Sequence, residues 1–259
     1  MSIGSEITRI RNAKADIISF LKENGISIPD GISIDDLNYY VEQYMAGRPI
    51  PTSNSIFYTF NSAGSVTDVR LSTEKVRGDQ FNEIGTLRSV TFIYPNMVTS
   101  IGERAFLRCS SLALTSLPDG LTSIGQSAFA ECGKLALTKL PDGLTSIEYR
   151  VFFQCTNLAL TELPSGITSI GGTAFYDCRN LALTELPSGI TSIGSTAFCG
   201  CTSLTSLTFK GTPDSIGSDA FKNCTNLVDI KVPWSDGAVA GAPWGATNAT
   251  ITYDYVPTT

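Results

Sequence analysis

Cysteine is the residue of this chain whose type and spacing could most readily support chemistry. Six of the seven cysteines follow one another at steps of 23 residues, namely Cys109, Cys132, Cys155, Cys178, Cys201 and Cys224. A thiol can act as a nucleophile, as a metal ligand or as one half of a disulfide. A catalytic constellation would not recur in this way along a chain. The spacing therefore favours a structural role for these thiols.

Disulfides and a zinc site are the alternatives to a ladder of free thiols. Neighbouring parallel strands lie about 4.8 Å apart, which is within the Cα range of a disulfide, but their side chains run parallel to each other. Free cysteine is also among the most buried residue types. Cys199 is out of register, and with Cys201 it supplies two of the four ligands that a structural zinc site needs. We expect reduced core thiols, with neither a metal nor another cofactor.

The composition excludes several classes of function. Histidine is absent, which removes the commonest general base, the Ser-His and Cys-His relays and the most frequent zinc ligand. The net charge is −6 and no dense basic run occurs, so nucleic-acid binding is not expected. No uninterrupted apolar run approaches the ~20 residues of a membrane helix. We expect a protein that is not an enzyme and is not inserted in a membrane.

The same 23-residue step governs other residue types, which shows what must position the cysteines. Phenylalanine repeats at Phe106, Phe129, Phe152, Phe175, Phe198 and Phe221, and isoleucine at Ile101, Ile124, Ile147, Ile170, Ile193 and Ile216. Leucine repeats at Leu112, Leu135, Leu158, Leu181, Leu204 and Leu227. Such a period indicates stacked units, each of which buries its apolar face against the next. A coil of this length accommodates short extended segments and turns but no full helix. The prediction is a mainly β solenoid.

Four segments follow from these patterns. Residues 1–48 are predicted to be helical, as a hairpin resting on its own chain or as a coiled-coil stem that joins subunits into a homotrimer. Residues 49–89 are predicted to be a linker and an N-terminal cap, and residues 90–230 the solenoid. Residues 231–259 contain Trp234 and Trp244, and we predict a C-terminal cap there.

The pattern Pro-x-Gly-[Leu/Ile]-Thr-Ser-Ile-Gly-x-x-Ala-Phe-x-x-Cys-x-x-Leu, as in residues 187–204, closely resembles the BspA-like leucine-rich repeat. The resemblance implies a curved, right-handed solenoid without enzyme activity. It also implies a relationship to proteins that are mostly bacterial surface proteins, adhesins and host-interaction proteins. These repeats share their core residues rather than the side chains that recognise a ligand.

One feature departs from that family's pattern. Where the family usually has an aliphatic residue, this chain has a threonine, and a leucine stands one position earlier, at Leu114, Leu137, Leu160 and Leu183. Either a bulge turns these leucines inward or they form an exposed apolar stripe, since a shift of one residue changes the face of a strand. We expect them to be buried.

The two ends of the chain resemble parts of phage-derived proteins. Residues 7–31 resemble N-terminal segments of bacteriophage and prophage tail proteins, and residues 232–255 resemble a module found beside such repeats in phage-derived proteins of gut bacteria. These resemblances imply a virion protein that is assembled in the bacterial cytoplasm. They fit an N-terminus without a secretory signal. A bacterial cell-surface adhesin and a purely structural virion decoration protein are the alternatives.

Candidate partner-binding residues lie where the repeats vary. Lys139, Glu162 and Glu185 occupy one strand position in successive coils. In the third coil Tyr149, Arg150 and Phe153 replace smaller residues, and Tyr176 follows Phe153 one coil later. The two groups together give the predicted contact residues, which are Tyr149, Arg150, Phe153, Tyr176, Lys139, Glu162 and Glu185. Tyrosine, phenylalanine and arginine supply much of the energy of binding interfaces. The expected partner is a protein or a cell-surface glycan; alternatively, Phe153 and Tyr176 merely pack on each other.

Overall fold

A computed structural model describes residues 55–92 and 98–256, together with Ile18. The described residues are built of short strands joined by turns. The predicted helices and the predicted trimer interface in residues 1–48 lie outside the described part, apart from Ile18, which is helical.

The strands of the described residues are two to seven residues long. They are β1 (Ser55–Phe60), β2 (Val66–Ser72), β3 (Lys75–Val76), β4 (Ser89–Phe92), β5 (Ser100–Ile101), β6 (Ser123–Ile124), β7 (Ser146–Ile147), β8 (Ser169–Ile170), β9 (Glu185–Leu186), β10 (Ser192–Ile193), β11 (Ser206–Phe209), β12 (Ser215–Ile216), β13 (Asp229–Lys231) and β14 (Thr250–Thr252).

The strands form two faces of a solenoid. On the short-strand face, two parallel sheets have the orders β3-β5-β6 and β7-β8-β10-β12. From β5 onward these strands align serine with serine and isoleucine with isoleucine, and the isoleucines point into the core. On the leucine face, the sheets have the orders β1-β2-β4 and β9-β11-β13-β14, and only β1 is antiparallel to its neighbour. The predicted mainly β solenoid of leucine-rich repeats is confirmed.

A column of stacked phenylalanine rings runs through the core. Its members are Phe81, Phe106, Phe129, Phe152, Phe175, Phe198 and Phe221, all fully buried, with centroids 5.2–5.9 Å apart and ring planes within 14° of parallel. The column starts one coil before the six that the 23-residue period indicates. Phe81 precedes Phe106 by 25 residues, so a search at the exact period does not detect this first coil. Val76 likewise pairs with Ile101.

The turn after each short strand holds neighbouring coils together without a strand ladder. In the third coil the amides of Arg150, Phe152 and Gln154 donate to carbonyls of the next coil at 3.2, 2.9 and 2.7 Å. Arg150 and Gln154 both have a φ of 56°, in the left-handed region. Alternate amides therefore point along the solenoid axis, and most coils repeat this arrangement.

The four extra leucines are buried, as predicted. Leu114 is 8% exposed, and Leu137, Leu160 and Leu183 are at most 1% exposed. In the second, third and fourth coils, however, the segments before Pro118, Pro141 and Pro164 are not strands, although a strand was predicted there. Inward leucines at the first, third and sixth positions do not fit the alternation of a strand over the whole segment. The fifth coil has the same inward leucines, and only its last two residues before Pro187 form a strand, β9. Where a bulge in a strand was predicted, the second, third and fourth coils have no strand. The described coils have no exposed leucine stripe.

Beyond β13 the chain continues the stack with aromatic packing. Trp234 and Trp244 are both buried, with ring centroids 5.2 and 6.3 Å from that of Phe209. The Phe221 amide donates to the Trp244 carbonyl at 3.0 Å, as it would to a further coil. β14 then pairs with β13 in parallel. This segment therefore covers the last ring of the phenylalanine column.

Replacing Phe152 by alanine should lower the free energy of unfolding by about 3–5 kcal/mol, because its ring is fully buried between two others and its removal leaves a cavity. Denaturant unfolding measures the difference. Phe153→Ala is the control: this neighbouring ring is only half-buried and should cost less. Equal losses in both variants would contradict the inward assignment of Phe152.

Candidate functional site

The cysteines form a structural ladder within the core. Each in-register thiol donates a hydrogen bond to a phenylalanine carbonyl of the preceding coil, for example Cys132 Sγ to Phe106 O at 3.0 Å and Cys155 Sγ to Phe129 O at 3.0 Å. The spacing is similar in the other in-register coils. All seven cysteines are buried and free, as predicted.

Burial makes these thiols poor nucleophiles. It raises the pKa of Cys109 and of Cys224 to about 12, from an ordinary value of 9.0. It also raises the pKa of Cys199, the cysteine that is out of register. Because the thiolate is the reactive form and the usual metal ligand, little of either chemistry is available near neutral pH. Within residues 55–92 and 98–256, no three His, Cys, Asp or Glu side chains are arranged to hold a metal ion.

The predicted contact residues of the third and fourth coils do come together. The rings of Phe153 and Tyr176 stack with centroids 5.1 Å apart and planes 20° apart. The guanidinium carbon of Arg150 lies 4.0 Å from the centroid of Phe153. Tyr149, one residue before Arg150, is 47% exposed and is one of the few large apolar side chains so exposed in the described structure. We call Tyr149, Arg150, Phe153 and Tyr176 the aromatic patch.

The side chains of the aromatic patch pack on each other and still keep part of their surface exposed. Phe153 and Tyr176 pack across adjacent coils, as the simpler of the two sequence interpretations expected. Both nevertheless remain half-buried rather than buried, and Arg150 keeps about a third of its side chain exposed. A preorganised cluster of aromatic rings and a guanidinium loses little side-chain entropy when a partner binds.

Consecutive ion pairs connect neighbouring coils and end at the aromatic patch, and the repeat pattern alone does not predict them. Arg108 binds Glu83 at 2.8 Å and Glu131 at 3.1 Å, and Arg150 lies 4.0 Å from Glu131. The hydrogen bonds that the Arg108 guanidinium donates to the carboxylates of Glu83 and Glu131 raise the pKa of Arg108. The detectable signal was charge alternation at the 23-residue step between Arg108 and Glu131, since residues one period apart are neighbours in a solenoid.

Gly172 of the next coil faces one edge of the Tyr149 ring. A Cβ atom at Gly172 would lie 3.6 and 3.8 Å from Cδ2 and Cε2 of that ring, which is ordinary van der Waals contact. A methyl group would therefore fit beside the ring, and this position does not require glycine for the ring's sake. Nearly half of Tyr149 stays exposed.

The other three predicted contact residues lie apart from the patch, on the leucine face. Lys139, Glu162 and Glu185 are all exposed, each next to a buried leucine. Of the three, only Glu185 belongs to a strand, β9. Lys139 lies 3.8 Å from Asp142, and Glu185 pairs with Lys210 of the next coil. Lys139 and Glu185 are thus engaged in exposed ion pairs, which are typically worth little energy.

The fold and the two surfaces define a solenoid of leucine-rich repeats whose variable side chains lie outside a repeated core. The sequence pattern of the BspA type leucine rich repeat region matches residues 54–182 and 123–237. The chain therefore belongs to the family of BspA type leucine-rich repeat proteins. No helix among the described residues is long and apolar enough to cross a membrane.

Solved structures give the same result for the fold. A leucine-rich repeat protein of T. pallidum is 28% identical, with a TM-score of 0.51 over 66% of this chain and 86% of that one. A leucine-rich cell surface protein of Faecalibacterium prausnitzii is 25% identical, with a TM-score of 0.50 over 72% of this chain and 55% of the other. A leucine-rich repeat protein of Bacteroides ovatus, 23% identical over 75% of this chain and 55% of its own length, has a TM-score of 0.54. No curated protein matches the chain.

The raised thiol pKa values predict a loss of stability in alkaline solution. Cys109 titrates near 9 in the unfolded chain and at about 12 in the folded one. The folded chain retains the proton between these values, so this contribution to stability is complete below pH 9.0 and is lost as the pH rises toward about 12. Denaturant unfolding over that range measures how the free energy of unfolding falls with pH. In Cys109→Ala it should fall less steeply than in the unaltered chain, by about 1.4 kcal/mol per pH unit. An identical slope in both proteins would contradict the buried, protonated thiol.

Proposed function

We propose that this chain is a non-enzymatic recognition protein whose aromatic patch binds a protein or glycan on a bacterial surface. The observation that carries the proposal is the exposed Tyr149 beside the stacked Arg150, Phe153 and Tyr176. Binding through a surface patch needs no cofactor and no titrating side chain, which agrees with a core whose thiols are protonated.

The distribution of sequence variation supports recognition over chemistry. Isoleucine, phenylalanine, cysteine and leucine at the repeated positions are buried, and they hold one coil on the next. The third and fourth coils depart from the repeat at exposed or half-buried positions, and the residues that stand there are tyrosine, arginine and phenylalanine. These types dominate the energetically important centres of protein interfaces. A scaffold that repeats its core and varies its surface is suited to binding.

For the biological setting, we propose a component of a phage or prophage tail that contacts a bacterial surface. The support is the resemblance of residues 7–31 and 232–255 to phage-derived proteins. The second candidate is a bacterial cell-surface adhesin that binds host matrix or other cells. It is favoured by the similarity to the F. prausnitzii protein, which is described as a cell surface protein. A purely structural role in the virion would leave the patch in contact with other virion proteins.

Binding of the fluorescently labelled full chain to a panel of gut bacterial strains tests the proposed function. We expect strain-selective binding, and we expect Tyr149→Ala combined with Phe153→Ala to weaken it about tenfold or more, because truncating such anchors typically costs over 1 kcal/mol each. Gln126→Ala is the matched control, since Gln126 is exposed at the position of Tyr149 one coil earlier. It should bind like the unaltered chain.

The same assay distinguishes the aromatic patch from the leucine face as the contact surface. A triple variant in which Lys139, Glu162 and Glu185 are replaced by alanine should bind within about twofold of the unaltered chain, because exposed paired charges contribute little. If this variant loses binding while the Tyr149 and Phe153 variant does not, the contact surface is the leucine face. Absence of binding to every strain would contradict recognition of bacterial surfaces.

The proposed trimeric stem makes a separate prediction. The full chain should sediment as a trimer, and a chain that begins at residue 49 should sediment as a monomer while keeping the thermal unfolding of the solenoid. Analytical ultracentrifugation measures both masses. A full chain that is monomeric at micromolar concentration would contradict a coiled-coil stem in residues 1–48 and would favour the adhesin.

A further inference from the structure

One junction between coils differs from the others on the short-strand face. Strands β3 and β5, β5 and β6, β7 and β8, β8 and β10, and β10 and β12 pair in parallel. In the described structure β6 and β7 do not pair, and they belong to different sheets. The solenoid is therefore open between Ile124 and Ile147 on this face.

The residue that follows each short strand explains the difference. Most coils have a glycine there, and its α-carbon lies close to the backbone of the preceding coil. A Cβ atom at Gly125, Gly171 or Gly217 would lie 2.5, 2.6 or 2.3 Å from a backbone nitrogen of that coil, which is closer than real Cβ contacts. The third coil has Glu148 at this position. Its Cβ can be accommodated only if the two coils move apart.

The backbone hydrogen bonds between the coils differ at this junction in the same way. The amides of Gly125, Gly171 and Gly217 donate to the isoleucine carbonyl of the preceding coil at 2.8, 2.7 and 2.8 Å. Among the described backbone hydrogen bonds, the amide of Glu148 makes no equivalent bond to Ile124. Serine in β6 is exposed, as it is in β12 at the end of its sheet, whereas serines of inner strands are half-buried.

The opening extends into the core but not into the turn. The rings of Phe129 and Phe152, which span this junction, are 5.9 Å apart, the widest step of the phenylalanine column. In the turn the two coils stay joined, because the Ser127 amide donates to the Tyr149 carbonyl at 2.9 Å. Tyr149 thus directly follows the residue at which the coils separate and is itself bonded to the preceding coil.

We propose that Glu148 is a positioning residue for the aromatic patch: its Cβ holds the junction open and thereby sets where Tyr149 and Arg150 lie. This inference rests on the proposed function of the patch. The Glu148 carboxylate accepts a hydrogen bond from Ser146 of its own coil at 2.7 Å and is half-buried. The effect comes from the Cβ rather than from the charge, which separates it from a direct contact with the partner.

Two variants of the full chain test the inference, because one removes the Cβ and the other keeps it. In Glu148→Gly the coils should close, and the amide of residue 148 should exchange with solvent about tenfold more slowly as it gains a bond to Ile124. The Tyr149 ring resonances, assigned with Tyr149→Phe, should shift. In Glu148→Ala the junction should stay open, and neither the exchange rate nor the ring resonances should change.

A reciprocal variant checks the steric argument far from the patch. Gly217→Ala introduces a Cβ at the β10–β12 junction, where it would lie 2.3 Å from the Ser195 nitrogen. The amide of residue 217 should lose protection about tenfold while the Tyr149 resonances stay unchanged. Unaltered protection would show that this fold accommodates a Cβ without opening, which would overturn the inference.

Binding gives the functional readout on the strains of the panel. Glu148→Gly should bind about tenfold more weakly, whereas Glu148→Ala should bind like the unaltered chain. Equal losses in both variants would assign the effect to the carboxylate and overturn the inference. Closure of the junction without movement of Tyr149 would do the same. If no strain binds the unaltered chain, the proposed function fails, while the exchange and resonance measurements still decide whether Glu148 positions Tyr149.

Discussion

The distance between successive coils is the constraint on which the rest of this structure depends. Backbone hydrogen bonds on the short-strand face and in the turns fix that distance at the spacing of a parallel sheet. Side chains at the repeated core positions then stack on their own kind at a similar interval, as the phenylalanine rings do at 5.2–5.9 Å. The glycine that follows most of the short strands satisfies the same constraint, because a Cβ there would meet the neighbouring backbone.

This constraint also divides the residues between stability and function. A position that faces the core is occupied by the same residue type in nearly every coil, and it cannot change without a cavity or a clash. The thiols illustrate this: each donates to a phenylalanine carbonyl one coil back, and burial keeps it protonated. Under the proposed function, recognition belongs to positions outside the stack. The aromatic patch occurs where the third coil departs from the repeat, and the same coil carries the glutamate that interrupts the spacing.

Sequence periodicity predicted the core well, because residues that are one period apart in the chain become neighbours in adjacent coils. The phenylalanine column, the buried thiols and the inward leucines all follow from it. Periodicity failed where the step changed or where side-chain geometry overrode it. Phe81 was missed because 25 residues separate it from Phe106. The strand before Pro141 was wrongly predicted, since inward leucines at the first, third and sixth positions do not follow the alternation of a strand. The ion pairs to Arg150 and the position of Gly172 beside the Tyr149 ring depend on side-chain directions that spacing alone does not specify.

Hydroxyl-radical footprinting of the full chain, free and bound to a bacterial strain to which it is found to bind, locates the contact surface. If the aromatic patch is that surface, oxidation of Tyr149, Phe153 and Tyr176 falls on binding, while exposed residues on the leucine face and in the C-terminal segment keep their rates. Protection confined to the leucine face or to the C-terminal segment, with the aromatic patch oxidised as in the free protein, would contradict the proposed contact surface.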